Sequence, residues 1–321
     1  MTRTLTPRPP FERRNIALPA SVSPEAQAFL ARESRPAVYP PIDDRDAWRA
    51  MIERANAEAL AGMAKVESWA AKVELREIAG VPVYVATPPN LRTRAVAVYF
   101  HTGGMVLLGG PAARLSTKIE ATRLGCTVFG IDFRTAPDHP FPAALEDCVN
   151  VYQAIASALP PAQITFVGYS GGGNLAAATV LRLKDIGAPL PASVALISPQ
   201  VDLTESGDSF QANYGLDSGL GHGTAEFNAL YAGDQPLDHP YLSPLFGDLT
   251  GFPPTYLQSG TRDLFLSNTV RMHRALLRAG AEAELHIWEA MHHTGFGPAA
   301  PETEEARQAL CRFLYGRWAA G

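Results

Sequence analysis

The sequence is poor in cysteine. Its three cysteines, Cys126, Cys148 and Cys311, are odd in number, widely spaced and set in apolar surroundings. Such a set suits neither a disulfide framework nor a paired-cysteine metal site, so we expect reduced cysteines in a hydrophobic core. Five histidines in other parts of the sequence show no HExxH spacing either, and we expect no metal ion and no cofactor. These histidines are His139, His222, His239, His273 and His286.

The sequence also lacks runs of positive charge and long apolar runs. The formal net charge is −5 and the longest basic run is the pair Arg13-Arg14, so we expect neither nucleic acid nor an anionic membrane as a partner. No segment is long and apolar enough to predict a transmembrane helix. Residues 1–20 lack the continuous apolar stretch of a secretory signal. Together these absences predict a soluble cytoplasmic protein.

What the sequence does have is an alternation of short apolar runs with helical patterns. Hydrophobic residues make up 46% of the chain and charged residues 18%, which is enough for a large core. Strand-like runs occur at residues 83–86, 95–100, 127–133, 164–167, 194–197, 255–258 and 285–288. Helical patterns occur at residues 143–156, 174–184, 268–278 and 304–315. This order predicts an α/β fold with a mostly parallel central sheet flanked by helices on both faces.

Two parts of the chain depart from this alternation. The N-terminal part has helical spacing at residues 23–32 and 45–65, and residues 200–249 are rich in Gly, Asp, Pro and Ser around one helix candidate at 224–231. A structureless loop of that length is unusual in a compact domain, which favours an inserted cap. We predict N-terminal helices in 1–65 that contribute to the cap, an α/β core in 66–199 and 250–321, and a cap insertion in 200–249.

The strongest chemical signal is Gly-Tyr-Ser-Gly-Gly at residues 168–172. It directly follows the predicted strand 164–167 and precedes the helix that begins near Asn174. This is the context of a nucleophile elbow, a sharp strand-to-helix turn that exposes a serine hydroxyl above the sheet. The glycines permit the crowded turn, and the N-terminus of the helix favours developing negative charge. The pattern predicts Ser170 as a nucleophile.

A second signal lies where the strand 95–100 runs into His101-Thr102-Gly103-Gly104. Backbone N–H groups of such a loop can point at the oxyanion of a tetrahedral intermediate, together with the N–H of the residue after the nucleophile. Taken alone, the loop is equally consistent with a plain turn beside a core histidine.

These motifs belong to a longer pattern. Residues 133–147 read FRTAPDHPFPAALED, Asn-Leu-Ala follows the elbow at 174–176, and further matches lie at 198–199, 202–204, 243–245 and 253–254. Over residues 70–315 the chain resembles the hormone-sensitive-lipase-like esterases, the bacterial family IV branch of the α/β-hydrolases. That family carries HGGG, GDSAGGNLA and YRLAPEHxFPAAxxD motifs at the corresponding places.

The resemblance implies a catalytic triad. Its aspartate is Asp263, in Gly-Thr-Arg-Asp at 260–263, and its histidine is His293, which follows a short apolar strand and stands two places after Met291. A serine nucleophile independently needs a base, and that base needs an acceptor that fixes its tautomer. Adjacent side chains diverge, so His292 should face the cap or solvent. The resemblance further implies that the N–H groups of the oxyanion hole belong to Gly103, Gly104 and Gly171.

The resemblance implies a carboxylic-ester hydrolase that works through an acyl-enzyme intermediate on a small-molecule ester, without a cofactor. We expect short to medium acyl chains, and analogy with the family allows a homodimer. A lactone or amide hydrolase with the same machinery remains open. A non-catalytic small-molecule receptor on the same fold is the alternative of another class, and retention of Ser170, Asp263 and His293 argues against it.

Departures from the family pattern concern details of the site. Thr102 replaces the first glycine of the HGGG triplet, Tyr169 replaces the aspartate before the nucleophile, and Gly171 replaces the alanine after it. Several aromatic side chains in the predicted cap either line an acyl pocket or serve ordinary packing. They are Phe29, Trp48, Phe210 and Tyr214.

Overall fold

The centre of the molecule is an eight-stranded, mostly parallel sheet. The computed structural model describes residues 16–32, 38–64, 70–220 and 223–320. The spatial strand order is β1-β2-β4-β3-β5-β6-β7-β8; β2 is antiparallel to β1 and β4, and the other neighbours are parallel. The strands are β1 (Lys72–Ile78), β2 (Val81–Thr87), β3 (Val96–Phe100), β4 (Thr127–Ile131), β5 (Ile164–Tyr169), β6 (Ser193–Ile197), β7 (Thr255–Gly260) and β8 (Ala283–Trp288).

Helices cover both faces of this sheet, as the alternating pattern predicts. The described helices are α1 (Pro24–Leu30), α2 (Arg45–Ala64), α3 (Pro111–Leu124), α4 (Ala143–Ala158), α5 (Gly171–Asp185), α6 (Ser209–Ala212), α7 (Ala225–Ala232), α8 (Leu266–Arg278) and α9 (Pro301–Ala320). The predicted α/β fold class is confirmed. Residue 65, which ends the second predicted helix, lies outside the described residues.

Burial explains the strands. Every residue of β3, β6 and β7 is buried, because helices cover the central strands from both sides. Two hydrophobic clusters, one on each face, fill the space between sheet and helices. The three cysteines are buried and unbridged, as expected from their surroundings. No helix in the described part of the chain is both long and apolar enough to cross a bilayer.

The topology brings three loops to one edge of the sheet. The parallel strands β5, β7 and β8 end just before Ser170, Asp263 and His293 in the chain, so all three residues lie at the carboxyl edge. The N-terminal helix α2 and the insertion helix α7 meet through Trp48 and Phe227, whose ring centroids are 5.9 Å apart. The division into core and cap stays a prediction.

Candidate active site

Ser170 occupies a strained turn between β5 and α5. Its φ of 56° and ψ of −121° lie in a region that side chains rarely adopt. The turn needs glycine on both sides: a Cβ on Gly168 would lie 2.4 Å from the carbonyl oxygen of Gly172, and one on Gly172 would lie 2.0 Å from that of Phe100. The N–H of Ser170 donates to the carbonyl of Ile197 at 2.9 Å, which ties the elbow to β6.

The loop after β3 lies directly against this elbow. Gly103 and Gly104 have φ values of 121° and 61°, and the carbonyl of Gly103 accepts from the N–H groups of Val106 and Leu107. A Cβ on Gly171 would lie 2.8 Å from the backbone nitrogen of Gly104. Since the first N–H groups of a helix have no acceptor within the helix, that of Gly171 is available beside the loop. The structure therefore brings the three predicted oxyanion residues together.

The buried ring of His101 packs at the start of this loop. Its ring stacks on Phe133 with centroids 4.0 Å apart, and its Nδ1 lies 2.7 Å from the carbonyl oxygen of Thr102. Burial lowers the pKa of His101, which keeps the ring neutral. His101 is therefore a core histidine, and the role of the loop as an oxyanion hole stays a prediction.

His293 and Asp263 form a buried pair. The Nδ1 of His293 lies 3.1 Å from Oδ1 of Asp263, and both side chains are almost completely buried. Asp263 also accepts from Ser259 Oγ at 2.7 Å and from the N–H of Phe265 at 2.9 Å. Because the carboxylate can only accept, Nδ1 carries the proton and Nε2 is left as the basic atom.

The charges of the pair shift both pKa values. Burial opposes protonation of His293, but the carboxylate of Asp263, together with that of Asp217, outweighs this effect and raises the pKa of His293. Burial likewise opposes ionisation of Asp263, but His293 and the hydrogen bonds lower the pKa of Asp263. The geometry thus stabilises an imidazolium next to a carboxylate, which is the state that a general base reaches after it takes a proton.

The loop that carries His293 is tied to the elbow through Ser198. The N–H of Thr294 donates to Ser198 Oγ at 3.2 Å, and the N–H of Ser198 donates to the carbonyl of Gln258 at 2.7 Å. Ser198 follows Ile197, the residue that accepts from the N–H of Ser170. The loop of the nucleophile and the loop of the base are therefore both hydrogen-bonded to the end of β6, at the adjacent residues Ile197 and Ser198.

His292 faces away from this network. Its Nδ1 accepts from the N–H of Ser218 at 3.1 Å, and its ring packs edge-on against Phe29. Burial lowers the pKa of His292 to about 4. The side chain points toward the insertion and α1, the direction that the sequence predicts, and it is buried rather than solvent-facing.

Tyr169 also points away from the site. Its hydroxyl donates to Glu120 of α3 at 3.3 Å, on the face of the sheet behind the elbow, and burial raises the pKa of Tyr169. The replacement of the family's aspartate by Tyr169 therefore changes the packing behind the elbow and not the side of the elbow on which the ester would react. The space beside Gly171 is filled instead by Met105, whose sulfur would lie 2.7 Å from a Cβ on Gly171.

One residue at the site has no signal in the sequence. Asp217 of the insertion is buried, and its carboxylate lies close enough to Asp263 and His293 for the three side chains to face one metal ion. Both oxygens of Asp217 and both of Asp263 already accept from N–H or O–H donors. Among the described residues, Asp217, Asp263 and His293 therefore form a hydrogen-bonded network.

The fold and the strained serine at the carboxyl edge of its sheet define an α/β hydrolase. Residues 97–296 match the family described as the alpha/beta hydrolase fold. An acetyl-hydrolase of Streptomyces hygroscopicus is 34% identical over 225 residues, covering 68% of this chain and 74% of the relative. The crystal structure of an esterase E25 is 32% identical with a TM-score of 0.88, covering 97% of this chain and 98% of that chain.

A structure described as a hormone-sensitive lipase from a metagenome library is 27% identical with a TM-score of 0.79, covering 88% of this chain and 94% of that chain. The chain therefore belongs to the α/β-hydrolase fold family, among its hormone-sensitive-lipase-like carboxylesterases. The family expected from the sequence motifs is confirmed.

Proposed function

We propose that this protein hydrolyses carboxylic esters by acyl transfer to Ser170. The observation that carries the proposal is the 3.1 Å contact between His293 Nδ1 and Asp263 Oδ1 at the sheet edge where the strained elbow holds Ser170. A carboxylate that fixes the tautomer of a histidine, beside a strained turn that holds a serine, is the arrangement that activates the serine hydroxyl.

Each residue has one role in the reaction. The Nε2 of His293 takes the hydroxyl proton of Ser170 as its oxygen attacks the ester carbonyl, and Asp263 stabilises the imidazolium that forms. The N–H groups of Gly103, Gly104 and Gly171 donate to the oxyanion. The imidazolium then protonates the leaving alcohol. Water, activated by the same histidine, attacks the acyl-enzyme and releases the acid.

The proposed substrates are esters with short to medium acyl chains, and the position of Phe227 supports this proposal. The ring of Phe227 reaches within 2.9 Å of where a Cβ on Gly104 would stand, so an aromatic wall stands beside the oxyanion loop. Lactones and amides carry the same electrophilic carbonyl, and the machinery does not discriminate against them by charge.

The test combines a substrate panel with a nucleophile variant. Purified protein is assayed on p-nitrophenyl esters of increasing acyl length, beside lactones and amides. We expect Ser170→Ala to stay folded and to lower kcat by about 10⁴-fold or more, since triad members act as a unit. Ser157→Ala, an exposed serine of α4, is the matched control and should keep full activity.

A phosphonate probe should label Ser170 alone, and mass-spectrometric mapping to another residue would refute the assignment.

A further inference from the structure

Asp217 connects the insertion to both loops of the acid–base pair. Its Oδ2 accepts from the N–H of His293 at 3.2 Å and from the N–H of Leu264, the residue after Asp263, at 3.0 Å. One carboxylate oxygen therefore bridges the backbone beside the proposed acid and the backbone of the proposed base. Leu264 follows Asp217 by 47 positions in the chain, and His293 follows it by 76.

The rest of the Asp217 side chain is held just as firmly. Its Oδ1 accepts from the N–H groups of Gly219 at 2.8 Å and Leu220 at 3.1 Å, and the side chain is almost completely buried. All four hydrogen bonds come from N–H donors. A carboxylate accepts at both oxygens in this way, whereas a protonated acid would direct its own O–H at a donor.

Two neighbours of Asp217 reinforce the same connection. Asn213 donates from Nδ2 to the carbonyl of Asp263 at 2.8 Å and to that of Thr261 at 3.2 Å. Ser218 donates its N–H to Nδ1 of His292. Residues 213–218 of the insertion thus contact the loops that carry both members of the pair, in addition to any role in covering the site.

We propose that Asp217 is a positioning residue for the reaction: its carboxylate fixes the loops of Asp263 and His293 relative to each other and adds a second negative charge next to the base. The proposal rests on the proposed triad. Small displacements of a positioned base have large kinetic effects, about 10²-fold for 1 Å. Loss of Asp217 should therefore lower kcat and leave KM nearly unchanged, because its carboxylate acts on the base and not on the bound ester.

The charge gives a second, independent signature. The charged groups that act on His293 are Asp263 from the β7–α8 loop and Asp217 from the insertion. The adjacent His292 is neutral, because burial lowers its pKa to about 4. Both carboxylates raise the pKa of His293. Removal of the Asp217 charge should therefore lower that pKa, and the acid limb of the kcat/KM profile should move to lower pH.

The experiment compares Asp217→Asn with Asp202→Asn. Asp202 is a buried carboxylate of the same insertion, but its partners are Thr204, Ser206 and Arg271 rather than the proposed triad. We measure kcat, KM and the pH profile on a p-nitrophenyl ester and, independently of any substrate, the rate at which a phosphonate modifies Ser170. Asp217→Asn should lower kcat and the modification rate about 10- to 100-fold and shift the acid limb downward. Asp202→Asn should lower thermal stability and leave both profiles in place.

The outcomes separate this inference from the proposed function. Wild-type protein that is inactive on every ester and unmodified at Ser170 overturns both. Active wild type with an Asp217→Asn variant within twofold of its kcat and with an unmoved acid limb overturns only the role of Asp217. If Asp217→Asn does not fold, Asn213→Ala tests the same connection while keeping the carboxylate. It should lower kcat without moving the acid limb, and an unchanged kcat there overturns the proposal.

Discussion

At the scale of single residues, the adjacent histidines 292 and 293 occupy opposite environments. His293 meets a carboxylate that raises its pKa, whereas His292 accepts from the backbone of Ser218 and has its pKa lowered by burial to about 4. We expect His293→Ala to lower kcat by about 10⁴-fold or more, and His292→Ala to cost far less activity while lowering the melting temperature. Kinetics and thermal denaturation of both purified variants check this. An inactive His292→Ala variant together with an active His293→Ala variant would show that His292, and not His293, is the base.

The same residue predicts a pH dependence. His293 must be neutral to accept the proton of Ser170, and Asp263 and Asp217 raise its pKa. The protonated, inactive form therefore persists to higher pH than for an ordinary histidine. We expect kcat/KM to fall as pH falls, with a midpoint above about 6.5. The reaction is followed at the isosbestic wavelength of p-nitrophenol, because the colour of the product itself depends on pH. A midpoint below the ordinary histidine value would contradict the charge arrangement.

At the scale of elements, the approach of helix α5 to the loop after β3 leaves no room for a side chain at Gly171. A Cβ there would lie 2.7 Å from the Cα of Gly104, which is backbone and cannot rotate away. We expect Gly171→Ala to displace an oxyanion donor and lower kcat about tenfold or more with little change in KM. Gly316→Ala on α9, where a Cβ meets nothing within 4 Å, is the matched control. If Gly171→Ala kept the kcat of the wild type, the loop after β3 would be able to move and make room for the methyl group, which would contradict the prediction.

The elements also show what the sequence can reveal. The central strands and the elbow were predictable because buried apolar runs and a Gly-Ser-Gly turn are local signals. Strand β1 gives no such signal: it is an edge strand whose residues are largely exposed, Leu75 among them. Helix α3 was also missed. It packs so tightly on β4 that Thr117 fills the space of a side chain at Gly130, so small and polar residues replace an apolar stripe.

Asp217 illustrates the limit for the site. Its partners Leu264 and His293 are distant in sequence, and the residue stands in an irregular Gly- and Asp-rich segment without periodicity. Only the folded chain shows that its carboxylate faces the two loops. Ser170, Asp263 and His293, by contrast, each follow a strand in the order this fold uses. The family resemblance identified the aspartate and the histidine, and their positions after strands agree with it.

At the scale of the whole molecule, the N-terminal part and the insertion contact each other beside the oxyanion loop. Tyr39, Trp48 of α2 and Phe227 of α7 form an aromatic cluster with ring centroids 5.2 to 5.9 Å apart. Phe227 also borders the oxyanion loop at Gly104. Trp48 and Phe210, weighed from the sequence as pocket residues, are buried in packing, whereas the sequence did not single out Phe227.

This arrangement predicts how acyl-chain length is limited. If Phe227 forms the end of the acyl pocket, Phe227→Ala opens space beside the oxyanion loop, and longer chains gain a place to bind. We expect the ratio of kcat/KM for p-nitrophenyl octanoate over p-nitrophenyl butyrate to rise severalfold, since each buried methylene contributes about 0.8 kcal/mol. Phe246→Ala, a half-exposed phenylalanine of the same insertion, should leave the ratio unchanged. Wild-type kcat/KM that is higher on emulsified long-chain triglycerides than on soluble short esters would contradict a bounded pocket.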